Sequence, residues 1–313
     1  MKSPTFLSVA IVGAFAILLS ACSPSSTVSE TPTATPSATA SEAAVAEFAA
    51  STGDCAAMAA TFRAVVSANP DSTAPELVAT CNGDALIATS NGIPDYPYVA
   101  TTPGELTASE VVLTIPSTPT ESSDPEAVPA LGPLGMAVNG VAIYGATEGT
   151  GGDVLSLEGA LSECGGHEGP VDYHMHLFGW ADGVDCLYDA SEVEAGTSLV
   201  MGWAADGYPI MSGVVCSDAA CGSVAQLTSS WQLTDSSLFA SDTWSAHSFV
   251  EGSGDLDQCN GRIDSDGQYR YYATATFPYT LGCFHGTVAD GALAGTATGG
   301  DAGGPGGPPG ADG

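Results

Sequence analysis

The sequence predicts a mostly β fold: a disulfide-stapled, sandwich-like single β domain with a short N-terminal helix. Three observations predict it. Glycine (39) and proline (20) are abundant among the 313 residues, which favours many turns and short strands over a helical bundle. Turn dipeptides such as Asn82-Gly83, Asn91-Gly92 and Asn139-Gly140 separate short apolar runs. Of nine cysteines, all but Cys22 fall within the expected folded part, residues 44–288, an even set suited to bridging. Hydrophobic residues make up 44% of the chain, enough for a core despite a formal net charge of -32.

Residues 1–21 read as a signal peptide. Lys2 gives a short positive start, and Phe6 to Leu19 is apolar except for Ser8 and Gly13. That run is too short and wrongly flanked for a membrane span. Leu19-Ser20-Ala21-Cys22 resembles a bacterial lipobox, in which the cysteine is acylated and becomes the mature N-terminus. Cys22 is therefore the expected lipidation site, and the expected location is the cell envelope, exported and anchored to a bacterial membrane. Residues 22–43, almost wholly Ser, Thr, Pro and Ala, read as a tether. Residues 44–79 read as a helical N-terminal extension, with a helix over 54–68 capped by Asp54 and ended by Asn69-Pro70. The β domain is placed at 80–288. A Gly/Pro-rich tail, read as disordered, occupies 289–313.

Within that domain, Leu77–Cys81 and Ala85–Ser90 read as a hairpin and Val111–Ile115 as a strand. A proline- and serine-rich loop is expected over 116–130. Met136–Val138 and Val141–Tyr144 form a second hairpin signal. Further strands are expected at 171–178, 198–203, 208–215, 268–276 and 280–285. Eight cysteines admit 105 pairings. Pairing of sequence neighbours is the expectation: Cys55–Cys81, Cys164–Cys186, Cys216–Cys221 and Cys259–Cys283. A cysteine zinc site is disfavoured, since Cys216 and Cys221 have no second close pair and exported thiols oxidise.

The charge excludes whole classes of partner. Four Lys+Arg oppose 36 Asp+Glu, so no basic face exists for a nucleic acid backbone. An anionic bilayer repels such a chain, and its membrane partner must be reached through lipid. Loss of Lys2 on cleavage leaves Arg63, Arg262 and Arg270 as the mature cations.

The chemistry concentrates in five histidines. His167, His174 and His176 lie in Cys164-Gly-Gly-His167-Glu-Gly-Pro-Val-Asp172-Tyr173-His174-Met175-His176. On a strand, His174 and His176 face one side and Met175 the other. Gly169-Pro170 can turn the chain back and bring in His167. Neutral imidazoles so placed suit copper or zinc, and no other cofactor is indicated. The bland alternative is a polar rim bonded to Asp172 or to backbone. His247 and His285 have no sequence link to the cluster. No His-Glu-x-x-His, Gly-x-Ser-x-Gly or phosphate-binding loop occurs, and Asp264-Ser-Asp266-Gly267 reads as a turn.

Several short motifs occur in one order: Ser90-Asn-Gly-Ile-Pro94, Gly135-Met-Ala-Val-Asn-Gly-Val141, Cys164-Gly-Gly-His167, Tyr173-His174-Met175-His176, Gly202-Trp-Ala-Ala-Asp206-Gly-Tyr-Pro-Ile210, Leu256-Asp257-Gln-Cys259-Asn-Gly-Arg262, and Tyr269-Arg270-Tyr271-Tyr272 with Phe277-Pro-Tyr279. Together, over about residues 80–288, they resemble the YHYH-domain family of bacterial exported proteins. The resemblance implies a shared fold and export; the family carries no established activity to transfer. Two departures stand out. The first motif reads Tyr-His-Met-His, and the second strand has an arginine where such proteins often place histidine. A site needing both strands would be altered here.

Remaining shared residues are assigned physical roles. Asp206 caps a turn before an apolar strand. Arg262 forms an ion pair, with a substrate-carboxylate clamp as the sharper alternative. Tyr269 and Tyr271 share a face and fill the core or, with Tyr173, Asp206 and Arg262, line a pocket. The functional expectation is a lipid-anchored metal-binding module, its reaction left open. The alternative is a metal-free surface module for a small molecule, glycan, peptide or envelope protein.

Overall fold

The computed structural model describes residues 52–294. The segments read as signal peptide and tether, Cys22, and the part of the expected tail beyond Ala294 lie outside the described residues. Among those described, no helix is long and apolar enough to cross a membrane.

Asp54 caps helix α1 (Cys55–Ala60), accepting hydrogen bonds from the amides of Ala56 (2.9 Å) and Ala57 (3.1 Å). The helix stops far short of the expected Asn69. Beyond it the backbone finds partners in the β domain instead. The Arg63 amide donates to the Val138 carbonyl at 3.0 Å, and its guanidinium bonds Asp95 at 2.7 Å and the Leu187 carbonyl. Val65 and Val66, being β-branched, offer little intrinsic resistance to that extended path.

Two sheets carry most of the fold. The smaller has the order β1 (Leu77–Asn82), β2 (Ala85–Ser90), β3 (Val111–Pro116) and β18 (Leu293–Ala294). β18 lies beyond residue 288, where the tail was expected to begin. The larger has eight strands, in the order β15 (Gly261–Ile263), β16 (Tyr269–Tyr272), β10 (Pro209–Met211), β9 (Val200–Ala204), β5 (Pro133–Ala137), β6 (Ala142–Tyr144), β8 (Tyr173–Met175) and β7 (Gly166–Glu168). Most pairs are antiparallel, but β8 lies parallel to β6 and β16 parallel to β10. Three two-stranded ribbons complete the fold: β4 (Glu121–Ala127) with β17 (Cys283–Gly286), β11 (Val214–Cys216) with β12 (Val224–Gln226), and β13 (Trp231–Leu233) with β14 (His247–Phe249). Two one-turn helices, α2 (Ala190–Val193) and α3 (Thr243–Ala246), lie between strands.

β4 corrects the loop expected over 116–130. Its residues, Glu-Ser-Ser-Asp-Pro-Glu-Ala, are mostly exposed and lack apolar alternation, so periodicity could not reveal it. Pro125 is tolerated because each strand of a two-stranded ribbon is an edge.

The centre of the large sheet is dry. Every residue of β9 is buried, as are Leu134 to Ala137 of β5. Gly202 permits this closeness, since a Cβ there would stand 2.6 Å from the Met136 carbonyl oxygen and from Ile143 Cδ1. One continuous apolar cluster draws on both large sheets, including Leu86 and Leu113 from one and Met136, Trp203 and Ile210 from the other. Disulfides join Cys55 to Cys81, Cys164 to Cys186, Cys216 to Cys221 and Cys259 to Cys283, each pair neighbours in sequence.

The β15–β16 hairpin closes around Arg270, whose side chain is wholly buried. It donates to Asp264 at 2.9 Å and, through two bonds of 2.9 and 2.7 Å, to Asp266. Asp264 also accepts from Tyr272 (2.5 Å) and from Arg262 Nε (3.0 Å). Arg262 thus sits in an ion pair, over the ring of Tyr272. Removing the buried cation leaves buried Asp264 with only the partly exposed Arg262 as charge partner. Arg270→Gln is therefore expected to lower unfolding free energy by about 3–5 kcal/mol, measured by urea denaturation at neutral pH; a loss below about 1 kcal/mol would show that the cluster is not structural.

Candidate metal centre

The site is built by one hairpin and the strand beside it. β7 and β8 pair antiparallel with His167 directly opposite His174. His176 follows β8 by one residue, and its amide donates to the Gly165 carbonyl at 3.0 Å. The alternation of β8 thus carries past its last strand residue, placing His174 and His176 on one face. Met175 takes the other face and is 1% exposed in the core. Two glycines give the hairpin its closeness. A Cβ on Gly169 would meet His174 Cε1 at 2.6 Å, and one on Gly166 would meet the Tyr173 hydroxyl at 2.6 Å.

The three Nε2 atoms converge. They stand 3.1 Å apart for His167–His174 and His174–His176, and 3.2 Å apart for His176–His167. All three rings are buried. The other ring nitrogens fix the proton positions. His176 Nδ1 donates to the Gly145 carbonyl at 2.6 Å. His174 Nδ1 lies 3.1 Å from Asp172 Oδ1 and 3.2 Å from the Asp172 carbonyl. These neighbours are acceptors only, so His174 and His176 each carry a proton on Nδ1, whereas His167 Nδ1 is buried without a hydrogen-bond partner. Tyr144, at the end of β6, stacks on His174 at 3.9 Å between centroids, and its hydroxyl donates to Asp172 at 3.3 Å. One residue thereby steadies both the ring and the carboxylate that orients it.

Glu148 reaches the same point from the turn after β6. Its Oε1 lies 3.8 Å from His167 Nε2 and 3.9 Å from His176 Nε2. That oxygen is buried and has no hydrogen-bond partner. Burial raises the Glu148 carboxyl above its usual range, opposed by His174. Burial, and then the neighbouring His174, lowers His167 to about 4 and drives His176 well below the usual imidazole range. A cavity of about 690 Å³ opens over the cluster, with Pro103, Leu131, Pro170 and Val171 in its walls beside the imidazoles.

The other sequence-selected residues lie elsewhere. Tyr173 is buried in the core, its hydroxyl 3.2 Å from that of Tyr96. Asp206, fully buried, accepts from Tyr271 (2.5 Å), the Gly286 amide (2.9 Å) and the Tyr208 amide (3.3 Å). Tyr269 stacks on His285 at 3.6 Å and donates to Asp257 at 3.2 Å. Asp206, Tyr269 and Tyr271 hold β16 against the turn before β10 and against β17, and neither they nor Tyr173 line the histidine cavity. His247 stacks on Phe277 and bonds the Thr243 carbonyl at 2.7 Å, away from the cluster. Among the described residues, His167, His174 and His176 form the group able to hold a metal ion with three or more ligands.

Glu148 and Tyr144 escaped the sequence reading. Their approach to the histidines depends on the parallel pairing of β6 with β8, which no local spacing encodes.

The family model described as YHYH protein matches residues 112–286. Neither a curated protein nor a solved structure matches the chain.

The low-lying imidazoles have a consequence for stability. His167 and His176 are neutral in the fold but take up protons on unfolding below their ordinary 6.5. Their contribution is complete above about pH 6.5 and drains away as pH falls through about 4. The ionisable groups facing them are His174, Glu148, Asp172 and Glu168. The urea midpoint of the metal-free protein should therefore fall across this window, and His167→Gln/His176→Gln should flatten that fall. An identical pH slope in the variant would contradict the assignment.

Proposed function

The chain belongs to the YHYH protein family, and we propose that it is a lipid-anchored extracytoplasmic module that binds a transition metal ion through His167, His174 and His176. The convergence of three buried Nε2 atoms within 3.2 Å carries this reading. With the rings protonated on Nδ1 their lone pairs repel, and a cation turns that repulsion into three bonds. An ion about 2.1 Å from each nitrogen would see N–metal–N angles of about 96°. That value lies between octahedral and tetrahedral geometry, so the triad suits copper or zinc. Asp172 and the Gly145 carbonyl are the acceptors that orient metal-bound imidazoles and raise their basicity. The reaction, if the ion supports one, would take place in the cavity above it, with the metal acting on whatever small ligand enters.

Export and anchoring are supported by the Leu-Ser-Ala-Cys22 segment and by cysteine usage. The other eight cysteines are all engaged in disulfides, which suits an oxidising compartment and leaves Cys22 for acylation.

Two measurements test these statements. The full chain, purified with its disulfides formed, should carry one transition metal ion per molecule by mass spectrometry, and His174→Ala/His176→Ala should carry none. A metal-free native chain, or undiminished binding by the variant, would leave the rings as the lining of a groove for a glycan, peptide or small molecule. Cys22→Ala should move the protein from the membrane fraction to the soluble fraction and abolish incorporation of labelled fatty acid. Unchanged labelling would refute anchoring at Cys22.

A further inference from the structure

The histidines account for three ligands, and a fourth group stands beside them. We propose that Glu148 is the fourth ligand, completing a His3Glu site built for a divalent cation and against a cuprous one. This rests on the metal reading of the triad and adds to it a ligand and a selectivity.

Position argues first. Glu148 Oε1 is almost equidistant from His167 Nε2 and His176 Nε2, at 3.8 and 3.9 Å. Ligands about 2.1 Å from a tetrahedral ion stand about 3.4 Å from one another. The oxygen lies outside the group of ligand atoms within 4.8 Å of one another, so the Glu148 side chain, 25% exposed, would have to turn further inward to take up a ligand position. The turn that carries it is braced, with the Glu148 amide donating to the Gly152 carbonyl (2.8 Å) and the Gly151 amide to the Glu148 carbonyl (2.7 Å).

Missing partners argue second. Glu148 Oε1 is buried with no hydrogen-bond donor, a state that costs free energy unless something fills it. No described arginine forms an ion pair with it: Arg63 pairs with Asp95, and Arg262 and Arg270 pair with Asp264 and Asp266. The nearest ring nitrogens, Nε2 of His167 and His176, stand at 3.8 and 3.9 Å, beyond hydrogen-bond distance. A metal ion satisfies the carboxylate and the three lone pairs together.

Donor chemistry argues third. A carboxylate oxygen is hard and anionic, and it favours a divalent ion over a soft monovalent one. A cuprous site would be expected to recruit sulfur. The sulfur nearest in sequence, on Met175, points into the core, and Cys164 is held in a disulfide. With Glu148 bound, a tetrahedral ion is closed. A molecule in the cavity then reaches the metal only by displacing Glu148 or by expanding the coordination shell.

The test uses the full chain with its disulfides intact. Zn2+ affinity is measured by competition with a chromophoric chelator. Cu+ affinity is measured by competition with bathocuproine disulfonate under ascorbate, and ligand geometry is read from the visible bands of the Co2+ form. Glu148→Gln should weaken Zn2+ by more than the about 10- to 100-fold that loss of an outer-shell partner costs. It should also shift the Co2+ bands and leave Cu+ affinity within about threefold. Glu148→Asp, which keeps the charge on a shorter stem, should fall between native and Gln. Unchanged Zn2+ affinity and Co2+ bands in Glu148→Gln would overturn the ligand assignment while leaving the triad intact. An equal loss of Zn2+ and Cu+ affinity would overturn the selectivity. Failure of the native chain to bind any of the three ions would instead overturn the triad reading on which this one stands.

Discussion

The candidate site depends on one register: His167 opposite His174 across the β7–β8 hairpin, with β8 laid parallel to β6. A slip of one residue in that hairpin would turn His167 to the opposite face. Both neighbours of the register are fixed by packing. Gly166 lets the Tyr173 hydroxyl lie close beneath the strand, and Gly169 leaves room for the His174 ring. The Cys164–Cys186 disulfide anchors the chain two residues before β7. The parallel partner β6 then delivers Tyr144 against His174 and the following turn delivers Glu148. Positioning of the site is thus mainly a property of backbone pairing, and the polar groups around the rings refine it.

The second aromatic strand shows the same scaffold used differently. Tyr269, Tyr271 and Tyr272 of β16 each donate a hydroxyl to a carboxylate, respectively Asp257, Asp206 and Asp264. Between them Arg270 supplies the buried positive charge that Asp264 and Asp266 require. A histidine at position 270 could not satisfy two carboxylates through a planar fork. The departure from the expected Tyr-His-Tyr pattern therefore coincides with a structural ion cluster, and the three converging imidazoles all come from the β7–β8 segment.

Much of this was legible from local patterns. The period-2 alternation of Tyr173-His174-Met175-His176 put two rings on one face, and Gly169-Pro170 marked the reversal that adds His167. Asn139-Gly140 marked the β5–β6 turn, and Asp54 the helix cap. What local patterns could not reveal were features made by distant partners. The helix beginning at Cys55 ends early because Arg63 is held by Asp95 and Leu187. The strand over Glu121–Ala127 exists because β17 pairs with it, although its own residues carry no apolar rhythm. Glu148 joins the site through a parallel strand pairing between segments some thirty residues apart in sequence. Asp206 read correctly as a turn residue, since it accepts from the Tyr208 amide, but its bond to Tyr271 came from across the sheet.

The fate of the three arginines has a consequence at a larger scale. Each faces aspartate: Arg63 with Asp95, Arg262 with Asp264, and Arg270 with Asp264 and Asp266. Among the described residues there is thus no lysine or arginine outside these pairs to form a basic patch on the surface. In colloidal terms the domain is a polyanion whose few counter-charges are tied up in ion pairs. Copies of it repel one another at low ionic strength over distances set by the Debye length, about 10 Å at 0.1 M salt and about 30 Å at 0.01 M. Crowding such domains on a surface would therefore be governed by dissolved ions, with divalent cations in the medium setting how closely neighbours can stand.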